Sequence, residues 1–347
     1  LAATDEIEQN IELGAGWNWM SLNVQPDDFS VDNVMAKAAD RAATIKAKSG
    51  YSEYIAEEGY WDGSLSTMNN LEMYAVQTHN AFTLSVTGHR VNPAETVITA
   101  KKGWNWIGFT PQQIMSVDDA LAGLQPVDDD IIKGQRGVAY FDDYEWSGSL
   151  TTLVPGKGYK LYNNTEGNRQ FTYPSAATTS SANHAPAALT LPTTTFTSVD
   201  YHLYPDNMVL FAQVVSAGMP LTGAELGVFA GEQCREAAIT DERGRVAITI
   251  PGDKAVKLTF RVALDGMVYT VAQTVSYQTD AICGRPKEPL VIDISTATEI
   301  WNIGDDRVDD SGKVYDLQGR LVSIDSDQPD LRLKKGVYII NGKKQVK

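Results

Sequence analysis

From Gly16 to Val24 the chain reads Gly-Trp-Asn-Trp-Met-Ser-Leu-Asn-Val, a run that is apolar on alternate positions of both parities. A strand of period two turns Trp17 and Trp19 to one face and Met20, Leu22 and Val24 to the other. The same pattern returns at Gly103, where Trp104 and Trp106 share one face and Ile107 and Phe109 the opposite one. A strand apolar on both faces is covered on both, so each is expected near the centre of its sheet. Ser30 and Ser116 follow as N-caps, each with acidic residues in the next turn. An Ala-rich helix is predicted over residues 31–48, and its counterpart after Ser116 is interrupted by Pro126. Tyr-Ser-Glu-Tyr at 51–54, Val-Ala-Tyr-Phe at 138–141, and the segments through Tyr74 and Tyr159 read as strands.

These elements belong to an internal duplication. Ser30-Val-Asp-Asn returns as Ser116-Val-Asp-Asp. Trp61, Gly63, Ser64 and Leu65 return as Trp146, Gly148, Ser149 and Leu150, in the same order. A period of about 85 residues makes each copy a small α+β unit with mainly antiparallel pairing. The remainder of the pattern differs. Residues 175–198 are rich in Ser, Thr, Ala and Pro without periodicity, which is linker composition. From residue 199 to 296 short strands alternate with turns such as Pro251-Gly-Asp and Leu264-Asp-Gly, the pattern of a β-sandwich. The expected fold is therefore mainly β with α+β. It comprises unit one at 1–92, unit two at 93–174, the linker, an immunoglobulin-like β-sandwich at 199–296 and a small β-module at 297–347.

Composition narrows the function. The 347 residues carry a formal net charge of −15, and there is no basic stripe to replace phosphate counterions, so nucleic acid is an unsuitable partner. No apolar run approaches the length of a membrane helix, and membrane insertion is not expected. The first residue is Leu, which fits a removed signal peptide or a piece of a longer exported protein. Two cysteines, Cys234 and Cys283, are too few for a zinc module; they suit one disulfide, or two unrelated buried thiols. A bridge would close a loop of about 50 residues.

Two segments resemble known families. Gly227-Val-Phe-Ala-Gly-Glu-Gln-Cys-Arg235, followed by Glu288-Pro-Leu-Val-Ile-Asp-Ile, resembles a sandwich module of surface and secreted proteins of Bacteroidetes. Val314-Tyr-Asp-Leu-Gln-Gly-Arg320, then Gly336-Val-Tyr-Ile-Ile and Lys343-Lys344, resembles the C-terminal sorting domain of the type IX secretion system. The Trp-Asn-Trp units resemble repeats of large adhesin-like proteins of the same bacteria. The resemblance implies an extracellular or outer-surface location and export by that route.

Candidate chemistry is sparse. His79, His89, His184 and His202 are scattered, and no hydrolase, metalloprotease or nucleotide-binding motif occurs. Asp142, Asp143 and Glu145 lie beside Trp146, and Glu57 and Glu58 beside Trp61. Paired carboxylates serve glycoside hydrolysis when they flank a bond, but at these positions a solvated turn is the simpler reading. Asp128-Asp129-Asp130 lacks the alternating ligands and glycine of a calcium loop. No catalytic residue, metal or cofactor is assigned. The expectation is a binding or adhesion protein without catalysis, directed at a glycan or a host or bacterial surface protein. The alternative is an accessory, carbohydrate-binding tail of an upstream secreted hydrolase or protease. Contacts are expected first at Trp61 and Trp146 on their hairpins, with Trp17, Trp19, Trp104 and Trp106 either core or a second stacking platform.

Overall fold

The computed structural model describes residues 6–175 and 195–302, together with the backbone of four strands between residues 314 and 346. Most of the expected linker, including His184, lies outside the described residues. The chain is mainly β, built from several largely antiparallel sheets.

The first unit contains β1 (Glu6–Leu13), β2 (Gly16–Met20), β3 (Val24–Gln25), α1 (Val31–Val34), β4 (Ala42–Lys46), β5 (Tyr51–Ile55), β6 (Tyr60–Gly63), β7 (Tyr74–Thr78) and β8 (Phe82–Arg90). Its main sheet has the order β2-β7-β4-β5-β6, backed by the smaller sheet β1-β8-β3. The second unit contains β9 (Ile98–Ala100), β10 (Gly103–Ile107), β11 (Met115–Ser116), α2 (Val117–Leu121), β12 (Ile131–Lys133), β13 (Val138–Asp142), β14 (Glu145–Gly148), β15 (Thr152–Leu153), β16 (Tyr159–Asn163) and β17 (Arg169–Phe171). Its main sheet, β10-β16-β12-β13-β14, has the same order strand for strand. Met20, Leu22 and Val24 enter the core of the first unit, and Ile107 and Phe109 that of the second, as their parity requires.

Two expectations are overturned. The Trp-Asn-Trp strands β2 and β10 end the order of their sheets instead of lying centrally. Their second face is covered by neighbouring units, which gives the same two-faced apolar pattern as a central strand. The helix over 31–48 is also wrong. Ser30 does cap α1, its hydroxyl accepting from Asn33 N–H, and Ser116 caps α2 through Asp119 N–H. But α1 lasts one turn, a 3-10 turn follows at Ala36–Ala38, and Asp40 at φ 62° takes the chain out of helical geometry. Residues 42–46 then form β4, where Ile45 is fully buried. Alanine's helical preference, a few tenths of a kcal/mol per residue, is outweighed by burying Ile45 and completing the sheet ladder.

The sandwich contains β18 (Asp206–Ser216), β19 (Met219–Pro220), β20 (Glu225–Ala230), β21 (Gln233–Ile239), β22 (Arg245–Gly252), β23 (Lys257–Leu264), β24 (Met267–Ser276), β25 (Ile282–Cys283), β26 (Leu290–Asp293) and β27 (Ala297–Asn302). One sheet is β19-β18-β22, with β25 and β26 running parallel to β18; the other is β21-β20-β23-β24-β27. Leu210, Leu226, Val228, Phe260 and Ile292 fill the space between them. Because β27 pairs with β24, this sheet extends to residue 302, past the expected boundary at 296. Further on, β28 (Val314–Asp316), β29 (Leu321–Ser323), β30 (Val337–Ile340) and β31 (Lys343–Val346) form an antiparallel sheet of order β29-β28-β30-β31. Gly319 and Arg320 lie outside the described residues.

Candidate functional site

The middle residue of Trp-Asn-Trp is a clamp. Asn18 Oδ1 accepts from Gly14 N–H at 2.7 Å, while its Nδ2 donates to Gly14 O at 2.8 Å and Gly16 O at 2.9 Å. Asn105 repeats this on Lys101 N–H, Lys101 O and Gly103 O, at 2.9, 2.6 and 2.8 Å. The turn so held needs a left-handed residue before the tryptophan, supplied by Gly16 at φ 94° and Gly103 at φ 81°. Gly16 has a further reason, since a Cβ there would collide with the His202 carbonyl oxygen.

The edge strands then dock the two units by reciprocal contacts. Ser21 N–H donates to Gly156 O at 3.1 Å, and its counterpart Gly108 N–H donates to Leu71 O at 2.9 Å. Gln135 Nε2 reaches Trp17 O at 2.6 Å, and Lys48 Nζ, at the matching place in the first unit, reaches Trp104 O at 2.7 Å. Trp19 and the half-buried Trp106 meet in one apolar cluster with Trp17, Met73 and Ala75. The tryptophans therefore answer to the assembly of the units. Trp17 and Trp19 are buried, Trp104 and Trp106 half-buried.

The sandwich docks on the same face. Ile131, Val138, Trp104, Tyr140 and Tyr162 of the second unit pack on Val209, Phe211, Ala247 and Ile282. Indole N–H groups add directional bonds, Trp104 Nε1 to Asp280 O at 2.7 Å and Trp19 Nε1 to Pro205 O at 2.9 Å. Between the layers lie Lys133 and Lys160, both fully buried. Lys133 Nζ donates to Asp280 Oδ1 at 2.7 Å and to Asn207 O at 2.9 Å. Lys160 Nζ donates to Asp206 Oδ1 at 2.7 Å and to both oxygens of Asp280 at 2.9 and 3.0 Å. Their ammonium groups face indole rings: Lys133 over Trp104 at 4.4 Å, Lys160 over Trp106 at 4.5 Å and Trp19 at 4.9 Å. Burial pushes the Lys133 ammonium down to about 8, and Asp280 beside it opposes the shift. Burial likewise raises the Asp206 carboxyl against the pull of Lys160. In Asp280 burial acts in the raising direction, but the two lysines outweigh it and hold the carboxyl below its usual range. Composition hides this cluster. The legible signal is a lysine inside each of two otherwise apolar strands, Ile-Ile-Lys133 and Tyr-Lys160-Leu.

Beyond this cluster the second unit and the sandwich separate into a groove of about 840 Å³. One wall is the β13–β14 hairpin, presenting Tyr140, Asp142, Glu145 and Ser147; the other includes Arg243, Arg245 and Ala247 on and before β22. Lys287, on the sandwich, pairs with Asp142 at 2.9 Å and Asp128 at 2.7 Å of the second unit. The turn of the hairpin is Asp143-Tyr144, at φ 50° and 72°, the two left-handed positions of a tight hairpin turn. Tyr144 is 96% exposed.

The residues expected from the sequence fall as follows. Trp61 is not an exposed contact: it is 8% exposed within the first unit's core, 5.5 Å from the Tyr54 ring. Trp146 is half-buried against the second core and 5.6 Å from Phe141. Both alternate inward on their hairpins, and their backbone N–H groups donate to Asp32 Oδ1 and Asp118 Oδ1 next to the helix caps, at 2.8 and 3.5 Å. Asp142, Asp143 and Glu145 do belong to a turn, and Lys287 pairs with the first two. Asp130 is buried, and both its oxygens accept from Arg169 Nη2, at 2.6 and 2.7 Å. His202 places Nδ1 at 2.6 Å from Trp17 O. Among the described residues, no three His, Cys, Asp or Glu side chains converge to hold a metal ion, and no helix is long and apolar enough to cross a membrane.

The disulfide is a further correction. Cys234 and Cys283 are both free thiols. Cys234 turns outward from β21 into a satellite cluster with Phe196 and Phe229, while Cys283 packs against the core between the sheets from beside Leu210. They sit in different sheets, on opposite sides of the one carrying Cys234, so no side-chain rotation joins them. Burial pushes the Cys234 thiol up to about 12.

No family model matches the chain, and neither does a curated protein. Among solved structures, the Bacillus anthracis TIE protein aligns at 10% identity over 99% of this chain, with a TM-score of 0.19. This chain spans 66% of that protein's length.

Proposed function

We propose that this chain is part of an exported, non-catalytic binding or adhesion protein, whose ligand meets the groove between the β13–β14 hairpin and an immunoglobulin-like sandwich. The observation that carries the reading is Tyr144. A bulky side chain at φ 72° costs about 1–2 kcal/mol relative to glycine, yet it stands almost wholly in solvent at the hairpin tip, between Asp143 and Glu145, which line the groove. Strain retained at an exposed aromatic serves contact rather than packing. Below it, Asp142, Glu145, Arg243 and Arg245 offer acceptors and donors for hydroxyl-rich or polar ligands, and Arg245 Nε is buried without a hydrogen-bond partner among the described residues. A glycan or a surface protein fits this mixture of flat aromatic and charged groups.

The test is Tyr144→Gly on an array of immobilised glycans and surface proteins. Stability should rise by about 1 kcal/mol as strain is relieved, while binding to whatever the parent chain retains should fall at least tenfold. Unchanged binding would remove the hairpin lip from the site. Export through the sorting-type tail is tested by deleting residues 303–347, which spares β27 of the sandwich. Surface delivery should stop in a host with type IX secretion, and continued delivery would make the tail structural only.

A further inference from the structure

We propose that the Lys160 amine and the Asp280 carboxyl condense to an amide, a covalent staple between the second unit and the sandwich. Lys160 Nζ lies 2.9 and 3.0 Å from the two oxygens of Asp280 and so faces the carboxyl carbon between them. The same nitrogen is 2.7 Å from Asp206 Oδ1, a base placed to take its proton. Lys133 Nζ is 2.7 Å from Asp280 Oδ1, where negative charge gathers when the carbon becomes tetrahedral. Four groups thus hold four positions: nucleophile, electrophile, proton relay and oxyanion partner.

The surroundings hold the reactants in place, and a proton relayed by Asp206 must first neutralise Asp280, which the two lysines hold as a carboxylate. Both lysine side chains are fully buried, and the rings of Trp19 and Trp106 stand 4.9 and 4.5 Å from Lys160 Nζ. Asp280 is fixed from both sides, its N–H donating to Asn207 O at 3.1 Å and its carbonyl accepting from Trp104 Nε1 at 2.7 Å. Reactants so held behave as if at an effective concentration of about 10⁵ M or more. The buried charges also carry a desolvation cost, which the neutral amide removes. Burial raises the Asp206 carboxyl, which suits a group that must accept a proton and return it.

The balance is simple. The Lys160 ammonium loses two protons in all, and Asp206 relays them. The nitrogen lone pair forms the C–N bond to Asp280 Cγ, and one C–O bond of that carboxyl breaks. The departing oxygen takes the two protons and leaves as water. Asp280 is a quarter exposed, which gives the water a way out. No oxidant or co-reactant is needed.

The experiment is the intact mass of the purified full chain, unfolded under reducing conditions after incubation near neutral pH. The expected mass is one water below that of the sequence, with protease digestion giving a branched peptide joining Lys160 to Asp280. Lys160→Arg and Asp280→Ala should each restore the full mass. Asp206→Asn should restore it or slow the loss at least tenfold, with the fold verified by its circular dichroism. Full mass in the parent chain overturns the proposal, as does a water lost without a branch, which cyclisation of an aspartate on its own backbone would give. A branch at Lys133 overturns the assignment of nucleophile.

Discussion

Replacing Asn18 or Asn105 by alanine probes the clamp that makes Trp-Asn-Trp a repeated unit. Each side chain makes three short hydrogen bonds to the turn before its strand, and each asparagine is buried. At about 1 kcal/mol net per bond, losing three costs about 3 kcal/mol where water cannot replace them. The two sites differ in that respect. Gly14 and Gly16 lie under the His202 residue, whereas Gly103 has open space at its Cβ position and Lys101 is exposed. Water can therefore restore part of the lost bonding at the second site. Asn18→Ala should cost about 3 kcal/mol and Asn105→Ala about 2 kcal/mol. Urea unfolding followed by tryptophan fluorescence measures both, since Trp17, Trp19, Trp104 and Trp106 flank the substituted positions. An aspartate sharpens the test. Asn18→Asp keeps the acceptor for Gly14 N–H but turns a second oxygen onto the carbonyls of Gly14 and Gly16. Its folded pKa must then exceed the unfolded one, so its penalty is full at neutral pH and shrinks as pH falls through the folded value. A cost under about 0.5 kcal/mol for either alanine, a larger cost for Asn105→Ala than for Asn18→Ala, or an aspartate penalty that ignores pH would rule out the clamp.

Trp61→Ala should destabilise by about 3–5 kcal/mol, and Trp146→Ala by less because its ring is only half covered; chemical denaturation reads both, and equal losses would contradict the burial difference. Thiol titration of the unfolded, unreduced chain should find both cysteines, while Cys234 in the folded chain resists alkylation because burial pushes its thiol up to about 12; a missing pair of thiols would restore the bridge. Lys133 titrates near 8 when folded against an ordinary 10.5, so between these values the unfolded chain binds a proton that the folded chain has released. Its contribution to stability therefore rises with pH across that window, and Lys133→Met should remove the rise; a stability difference constant with pH would refute the assigned shift.

Local chemistry was readable along the chain wherever neighbours in sequence settle it. Alternation alone assigned Trp17 and Trp19 to one face and Met20, Leu22 and Val24 to the other, because successive side chains of any strand diverge. Ser30 and Ser116 cap their helices because the bond they make reaches only three residues. Repeated residues return at equivalent places in two sheets of one strand order, as Trp61 on β6 and Trp146 on β14 do. What lies across the chain was not readable. A strand covered on both faces looks the same whether strands or whole units cover it, so alternation points β2 and β10 to the centre while the fold sets them at the end of their sheets. Residues 36–46 have helical composition, and only the partners β5 and β7 make part of them a strand. The cysteines share a domain but not a sheet, a fact of register rather than spacing. The charged cluster joins Lys133 and Lys160 to Asp206 and Asp280, more than 40 residues away. Burying such charges is tolerable only when all four meet, and only the packing of the second unit on the sandwich brings them together.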